Sequence, residues 1–289
     1  MDYYIVIPIH NEEAYLESTL SSILNQSLLP KKVVLVNDNS TDATEVIIDE
    51  FVNKSTIFQK LNITSSAQHM PGSKVINAFV KGLNILDDAY DFIVKIDADI
   101  ILPENYFILI GTHFKNDTGI GICGGFIYEQ TKSGKWELNH PMDSDHIRGA
   151  IKAYSKPCFE AIGGLKNAMG WDTVDELLAK YHGFKTYTDK SLKVKHLRPT
   201  RRAYNSNAKR LQGIAMYTMR YGFLITCIAS IKMAIKNKSI LTFWNNLAGF
   251  IQASRNKTPF LVNEKEGEFI RKLRWLNIKR KLYSTKKAI

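Results

Sequence analysis

Cysteine is scarce: Cys123, Cys158 and Cys227 are the only three in 289 residues, and none belongs to a Cys-x-x-Cys pair. An odd count at wide spacing argues against a disulfide framework and a cysteine zinc site, and it fits a reducing compartment. The N-terminus has no basic n-region and no small-residue cleavage site, so no signal peptide is expected. Repeats and low-complexity tracts are absent. So is an uninterrupted apolar run of the roughly 20 residues a spanning helix needs. The nearest candidate, residues 221–235, is broken by Lys232 and reads better as part of an interfacial helix pair. Acid is scarce in the second part of the chain. Residues 183–289 hold 24 Lys/Arg against 4 Asp/Glu, a balance of +20, whereas residues 1–182 hold 15 against 24, a balance of −9. Such asymmetry suits an anionic partner, either a membrane surface or nucleic acid; the alternative is a solvated basic surface.

What is present supports a packed core: 45% of residues are hydrophobic and 11% aromatic. Residues 1–130 alternate strand and helix. Strands are expected at 4–9, 32–36, 59–63, 91–96 and 120–128, and helices at 12–26, after the turn at 39–42, at 73–86 and from Pro103. The section 130–200 reads as loop and short elements, with a helix at 172–182 and two short strands at 185–188 and 192–195; residues 208–252 read as helical and basic. This alternation predicts an α/β fold with a mostly parallel sheet covered on both faces. Ligands then sit beyond the carboxyl ends of the strands. Three polar clusters fall there: His10-Asn11-Glu12, Asn37-Asp38-Asn39 and Asp97-Ala98-Asp99.

Asp97 and Asp99 close a buried apolar strand, where two carboxylates repel unless a cation is near. Oxygen ligands of this kind suit Mg²⁺ or Mn²⁺, which also bridge substrate phosphates; the plainer reading is two solvated loop acids. Asp38 can accept a hydrogen bond from a nucleobase N–H, or serve an ordinary Asx turn. Pro8, His10, Asn11 and Glu12 can wall a base or ribose, or cap the next helix.

Residues 5–13, 34–42 and 97–99 together resemble the opening motifs of family 2 glycosyltransferases, and the similarity runs from residue 3 to about residue 200. The resemblance implies a GT-A type nucleotide-diphospho-sugar transferase fold with a C-terminal helical extension. Residues 1–200 would be the catalytic domain, with a nucleotide-binding half at 1–100 and an acceptor half at 101–200, and residues 201–289 a basic helical extension. It also implies inverting transfer from a nucleotide-sugar donor with a divalent metal. Carried over by position, Pro8 and Glu12 line the nucleotide, Asp38 holds the base, Asp97 lies by the ribose, and Asp99 binds the metal with His196. The family's acidic motif after a Gly-Gly turn falls on Trp171-Asp172, with Gly183 eleven residues beyond. Asp172 thus takes the place of the general base, with Trp171 where a Glu usually stands and Asp175 the second choice. Arg198, Arg201 and Arg202 are candidate diphosphate partners, and Lys74 is either a donor contact or a surface lysine. Trp136, His140, residues 143–146 and Arg148 lie where relatives contact the acceptor.

A nucleotidyltransferase on a similar sheet is the competing enzyme reading, but no glycine-rich phosphate loop follows the first strand. A nucleic-acid binder is suggested by charge alone, without a zinc, helix-turn-helix or RNA-binding signature. The partners expected are a nucleotide-sugar donor, a glycan or lipid-linked acceptor, and the inner face of a membrane through peripheral contact, with no nucleic acid.

Overall fold

Seven residues without a charge, Tyr-Tyr-Ile-Val-Ile-Pro-Ile, form β1 (Tyr3–Ile9), and all but Pro8 are buried. The computed structural model describes residues 1–65, 72–139, 146–198 and 206–286. β1 pairs in parallel with β2 (Lys32–Asp38) on one side and β4 (Phe92–Ile96) on the other, and β3 (Phe58–Ile63) pairs in parallel with β2. The β1–β4 ladder stops at Val6, so Pro8 pairs only with Val36. That placement suits a residue with no N–H to donate. Tyr3 stacks on Phe92 at 4.7 Å and anchors the base of the sheet.

Beyond β4 the pairing changes hand. β8 (Ile151–Ser155) runs antiparallel to both β4 and β6 (Ile120–Gln130). β9 (Lys185–His196) lies parallel to β6, and the two-residue β5 (Ile100–Ile101) lies antiparallel to β9. The strand order is β3-β2-β1-β4-β8-β6-β9-β5, with β7 (Trp136–Leu138) beside β6. The sheet is mixed, less parallel than the sequence pattern predicts. β8 escapes sequence reading because Lys152, fully buried, interrupts its apolar run. The two short strands expected at 185–195 are one strand with a register shift opposite Gly125 and Phe126.

Helices α1 (Leu16–Leu24), α2 (Thr44–Lys54), α3 (Ser73–Leu83), α4 (Tyr106–Asn116) and α5 (Lys156–Ala161) complete this part. α1 starts later than its polar lead-in suggests, since residues 12–15 form the turn that opens it: Leu16 N–H reaches Glu12 C=O at 2.9 Å. α3 rides so close on the sheet that a Cβ on Gly82 would sit 2.6 Å from both Val6 and Val36 methyls.

The chain divides into two compact units, residues 1–167 with 182–200, and residues 168–181 with 201–289. The second contains α6 (Trp171–Tyr181) and the C-terminal helices α7 (Ser206–Thr218), α8 (Phe223–Lys236), α9 (Ile240–Arg255) and α10 (Glu264–Lys286). There α7 and α9 touch backbone to backbone. A Cβ on Gly213 would lie 1.8 Å from the Asn246 carbonyl oxygen, and one on Gly249 2.0 Å from that of Arg210. Tyr181 meets Phe269 edge-on at 5.5 Å, joining α6 to α10. Asn263 and Glu266 cap α10 reciprocally at 2.7 and 3.0 Å, a capping box.

Adding one methyl at the α3 contact tests how tightly that helix is seated. Gly82→Ala is expected to lose about 1–3 kcal/mol of stability through overpacking, read as a lowered urea midpoint. An unchanged midpoint would mean that α3 can lift off the sheet at no cost.

Candidate active site

The loops after β1 and β2 are sewn together before any ligand arrives. Asn11 and Asn39 both adopt left-handed backbone, φ 53° and 55°, which asparagine tolerates better than most residues. The Asn11 side chain accepts the Thr41 N–H at 2.8 Å, and its own N–H donates to Ser40 Oγ at 3.1 Å. His10 Nδ1 lies 2.7 Å from the Asp38 carbonyl oxygen. Glu12 N–H donates to Thr44 Oγ1 at 2.7 Å, and Glu13 takes the Ala43 N–H at 2.9 Å. Asn11 and His10 thus spend polar atoms on the frame. The buried Asp38 carboxylate accepts the Ser65 N–H at 2.8 Å and stands at the end of β2.

The end of β4 carries the second part. Thr19, fully buried on α1, donates to the Ala98 carbonyl at 2.8 Å and accepts the Ile100 N–H at 3.1 Å, gripping the loop on both sides of Asp99. β5 and β9 set Ile100 opposite His196, and Leu197 N–H reaches the Asp99 carbonyl at 2.8 Å. His196 Nε2 comes to 3.3 Å from Asp99 Oδ1. Side-chain atoms of Asp97, Asp99 and His196 all fall within 4.8 Å of one another. Asp99 Oδ1 is buried and meets the His196 imidazole without a well-aligned hydrogen bond. A buried carboxylate oxygen facing an imidazole, with a second carboxylate beside them, is a donor set for a divalent cation.

Charge in this corner is balanced by hand-placed cations. Arg198 pairs with Glu12, its Nε lies 3.7 Å from Asp99 Oδ2, and its guanidinium sits 5.4 Å from the Tyr15 ring centre. Buried Lys95 grips Asp97 and donates to the Gly149 carbonyl at 3.0 Å. Burial, with Asp99, Asp97 and Asp42 adding to it, pushes the Glu12 carboxyl up to about 7, although Arg198 pulls the other way. Burial alone would depress the His196 imidazolium, but Asp99, Asp97 and Glu129 outweigh it and the net direction is up. A divalent cation would compete with that proton for the same ring nitrogen.

Sequence reasoning missed the residues that aim these groups. Glu129 is the register partner of His196 across β6 and β9, and its Oε1 lies 3.5 Å from His196 Nδ1. Asn139 donates to Glu129 at 2.6 Å, and Arg148 donates to Asn139 at 3.2 Å. A carboxylate behind a ligating histidine fixes its ring orientation. No local pattern marks Glu129, which needs the β6–β9 register to be found. Thr19 is equally silent, a threonine on an amphipathic helix.

The structure thus gathers Pro8, His10, Asn11, Glu12, Asp38, Asp97, Asp99, His196 and Arg198 at the strand ends of the first unit. Lys74 lies in the first turn of α3, and its neighbour Ser73 bonds Asn167 at 2.6 Å. Trp136 forms β7, with the Lys195 ammonium 5.4 Å from its ring centre. His140, residues 143–145, Arg201 and Arg202 lie outside the described residues. Asp172 and Asp175 belong to the second unit. Asp172 stands in the first turn of α6 after Gly170 (φ 81°) and is partly exposed, whereas Asp175 is 1% exposed and takes the Glu176 N–H at 2.6 Å.

Comparison with known proteins agrees with this geometry. The model of the family described as glycosyl transferase family 2 matches residues 4–170. The chain is 28% identical over 151 residues to the minor teichoic acid biosynthesis protein GgaB of Bacillus subtilis (strain 168), covering 50% of this chain and 16% of that protein. The chain spans between 16% and 36% of the length of the first curated relatives it matches. Among solved structures, TarS 1–349 of S. aureus in complex with UDP-GlcNAc aligns with TM-score 0.55 at 16% identity, covering 74% of this chain and 65% of that one. The mannosyltransferase PcManGT of Pyrobaculum calidifontis, in complex with GDP-Man and Mn²⁺, aligns with TM-score 0.55 at 14% identity, over 99% and 84% respectively. At such identities the structural likeness shows the fold.

Glu129→Gln keeps the size of the side chain and removes the charge behind His196. Mn²⁺ affinity in the presence of a nucleoside diphosphate should fall about 10- to 100-fold, measured by calorimetry with circular dichroism unchanged. Unaltered affinity would detach Glu129 from the cation site.

Proposed function

Because the chain belongs to glycosyl transferase family 2, we propose that it is an inverting, metal-dependent glycosyltransferase that moves a sugar from a nucleoside-diphosphate donor to a hydroxyl of a glycan or lipid-linked glycan. The observation that carries this reading is the Asp97, Asp99 and His196 cluster, whose side-chain ligand atoms lie within 4.8 Å of one another, framed by Asp38 and the Glu12–Arg198 pair. Mn²⁺ or Mg²⁺ would be held by Asp99 and His196 with Asp97 adjacent, and when bound it neutralises charge on the diphosphate. Asp38 accepts from the base, Pro8 and Glu12 wall the nucleotide, and Asp97 faces the ribose. Arg198 offers a guanidinium to the diphosphate. Lys74 remains a candidate donor contact at the start of α3.

Transfer requires one proton acceptor. The acceptor oxygen attacks the anomeric carbon as its O–H proton passes to a carboxylate. The bond from that carbon to the donor phosphate oxygen breaks, and its electron pair leaves with the nucleoside diphosphate. A second catalytic carboxylate, as in glycoside hydrolysis, has no part in this. We assign the base to Asp172 from its spacing after Gly163-Gly164 and before Gly183. Its partial exposure supports it over Asp175, whose carboxylate is buried and engaged by its own helix. Residues 1–200 are the proposed catalytic domain and 201–289 a basic extension that keeps the enzyme at the inner face of a membrane, where its excess of Lys and Arg suits anionic lipid. Among the described residues no helix is long and apolar enough to cross a membrane, so the contact proposed is peripheral.

A hydrolysis screen of UDP-, GDP- and dTDP-sugars with Mn²⁺ tests the activity and identifies the base. Asp172→Asn should leave donor affinity within about twofold and lower kcat by roughly 10²- to 10⁴-fold; full activity in that variant would move the base elsewhere. Asp99→Ala should abolish the Mn²⁺-dependent part of nucleoside-diphosphate binding. Equal affinity with and without Mn²⁺ in both proteins would end the metal assignment.

A further inference from the structure

α8 and α9 are built inside out. The buried positions of α8 are Ile225, Thr226, Ser230 and Ala234, and those of α9 are Thr242, Asn246, Gly249 and Ala253. These are mostly small or polar residues. Many of the large apolar residues face the other way, although Ile225 is buried and Met233 and Phe250 are partly so. On α8, Leu224, Ile228, Ile231 and Ile235 recur at helical spacing on one exposed stripe. On α9, Ile240, Leu241, Trp244 and Ile251 do the same. A helix that folds for water buries its apolar stripe and exposes its polar one. This pair does the reverse, and its close seating is made by the glycine contact of α9 with α7 and by an Asn246 Nδ2 to Met233 Sδ approach of 3.6 Å.

Around the turn joining the two helices Ile235 is 73%, Ile240 68%, Leu241 63% and Trp244 60% exposed, and Leu224 at the far end of α8 is 66% exposed. The same turn carries exposed Lys236 and Lys238, with Lys232 one turn earlier on α8. No Asp or Glu occurs anywhere between Asp189 and Glu264. An apolar tip ringed by lysines, holding a tryptophan and free of acid, matches a bilayer with anionic headgroups. A protein partner would have to present a large apolar surface rimmed by acid. A second copy of this face would bring lysines against lysines.

We infer that the α8–α9 turn is a monotopic membrane anchor: Ile235, Ile240, Leu241 and Trp244 enter the acyl boundary of an anionic leaflet, and Lys236 and Lys238 engage its phosphates. This deepens the membrane placement proposed above by naming the surface, and its test does not depend on sugar transfer. The buried faces keep the pair attached to the protein while the exposed stripes dissolve in lipid.

The full chain is mixed with phosphatidylcholine vesicles with or without phosphatidylglycerol and separated by flotation. Binding should require phosphatidylglycerol and weaken with salt. Replacing Ile235, Ile240, Leu241 and Trp244 together by Ser, all exposed positions, should cut vesicle affinity by at least about tenfold. Lys236→Gln and Lys238→Gln should each cost roughly fivefold. Trp emission should shift to the blue on vesicle addition in the wild type and much less in Trp244→Phe. Vesicle binding unchanged by the fourfold substitution, or a blue shift that survives Trp244→Phe, overturns the inference. So does sedimentation showing that the substitution turns a dimer into a monomer. Vesicle binding that persists in a protein unable to bind any nucleoside diphosphate leaves the anchor standing and overturns the transferase reading instead.

Discussion

Like charges held close together set the terms for everything else in the first unit. Glu12 follows β1, Asp97 and Asp99 follow β4, and Glu129 stands near the end of β6. Carboxylates this near one another, partly out of water, repel strongly unless cations are interleaved. Lys95 reaches Asp97 from within β4, Arg198 reaches Glu12 and Asp99 from beyond β9, and His196 stands between Asp99 and Glu129. The sheet topology serves this arrangement. Only with β9 alongside β6, and β5 turned back onto β9, do His196 and Arg198 come round to the loop that follows β4.

Much of that frame was legible in the sequence, because strand ends announce themselves. An apolar run followed by His-Asn-Glu, Asn-Asp-Asn or Asp-Ala-Asp changes polarity abruptly, and in α/β sheets such changes fall on the ligand edge. An α/β sheet with Pro8, Glu12, Asp38, Asp97 and Asp99 on one edge follows from this, whereas the GT-A fold and the places of His196 and Arg198 rest on the resemblance to family 2 glycosyltransferases. The parts that stayed hidden depend on partners distant in sequence. β8 carries two polar residues among five, and Lys152 disguises a strand that is buried throughout. Glu129 acquires its place only through the β6–β9 register, and Thr19 only through the packing of α1 on the loop after β4. The grouping of α6 with the C-terminal helices, rather than with the sheet that surrounds it in sequence, has no local signature either.

The two units solve opposite solvent problems. The first packs the largest aromatic and branched side chains inward, Tyr3, Phe92, Phe107 and Tyr106 among them, and keeps polar groups at the strand ends. In the second, α7 and α9 approach through glycines, which lets backbones meet where bulky side chains would hold them apart. Composition foreshadowed this difference only as a charge imbalance. The direction in which the side chains point required the helices to be placed.

Lys95 carries a consequence for how this site decays. Its ammonium is almost wholly buried and leans on Asp97, so the pair behaves as one unit of inheritance. Losing the Asp97 carboxylate would remove the counter-charge that this buried ammonium leans on, although its hydrogen bond to Gly149 would remain, and weakening a buried ion pair in this way is destabilising. Selection for folding alone would then replace Lys95 with an apolar residue. The lysine two positions before the first aspartate of Asp-Ala-Asp and that aspartate are therefore tied together by stability as well as by chemistry: a chain that dispensed with the one would gain by dispensing with the other.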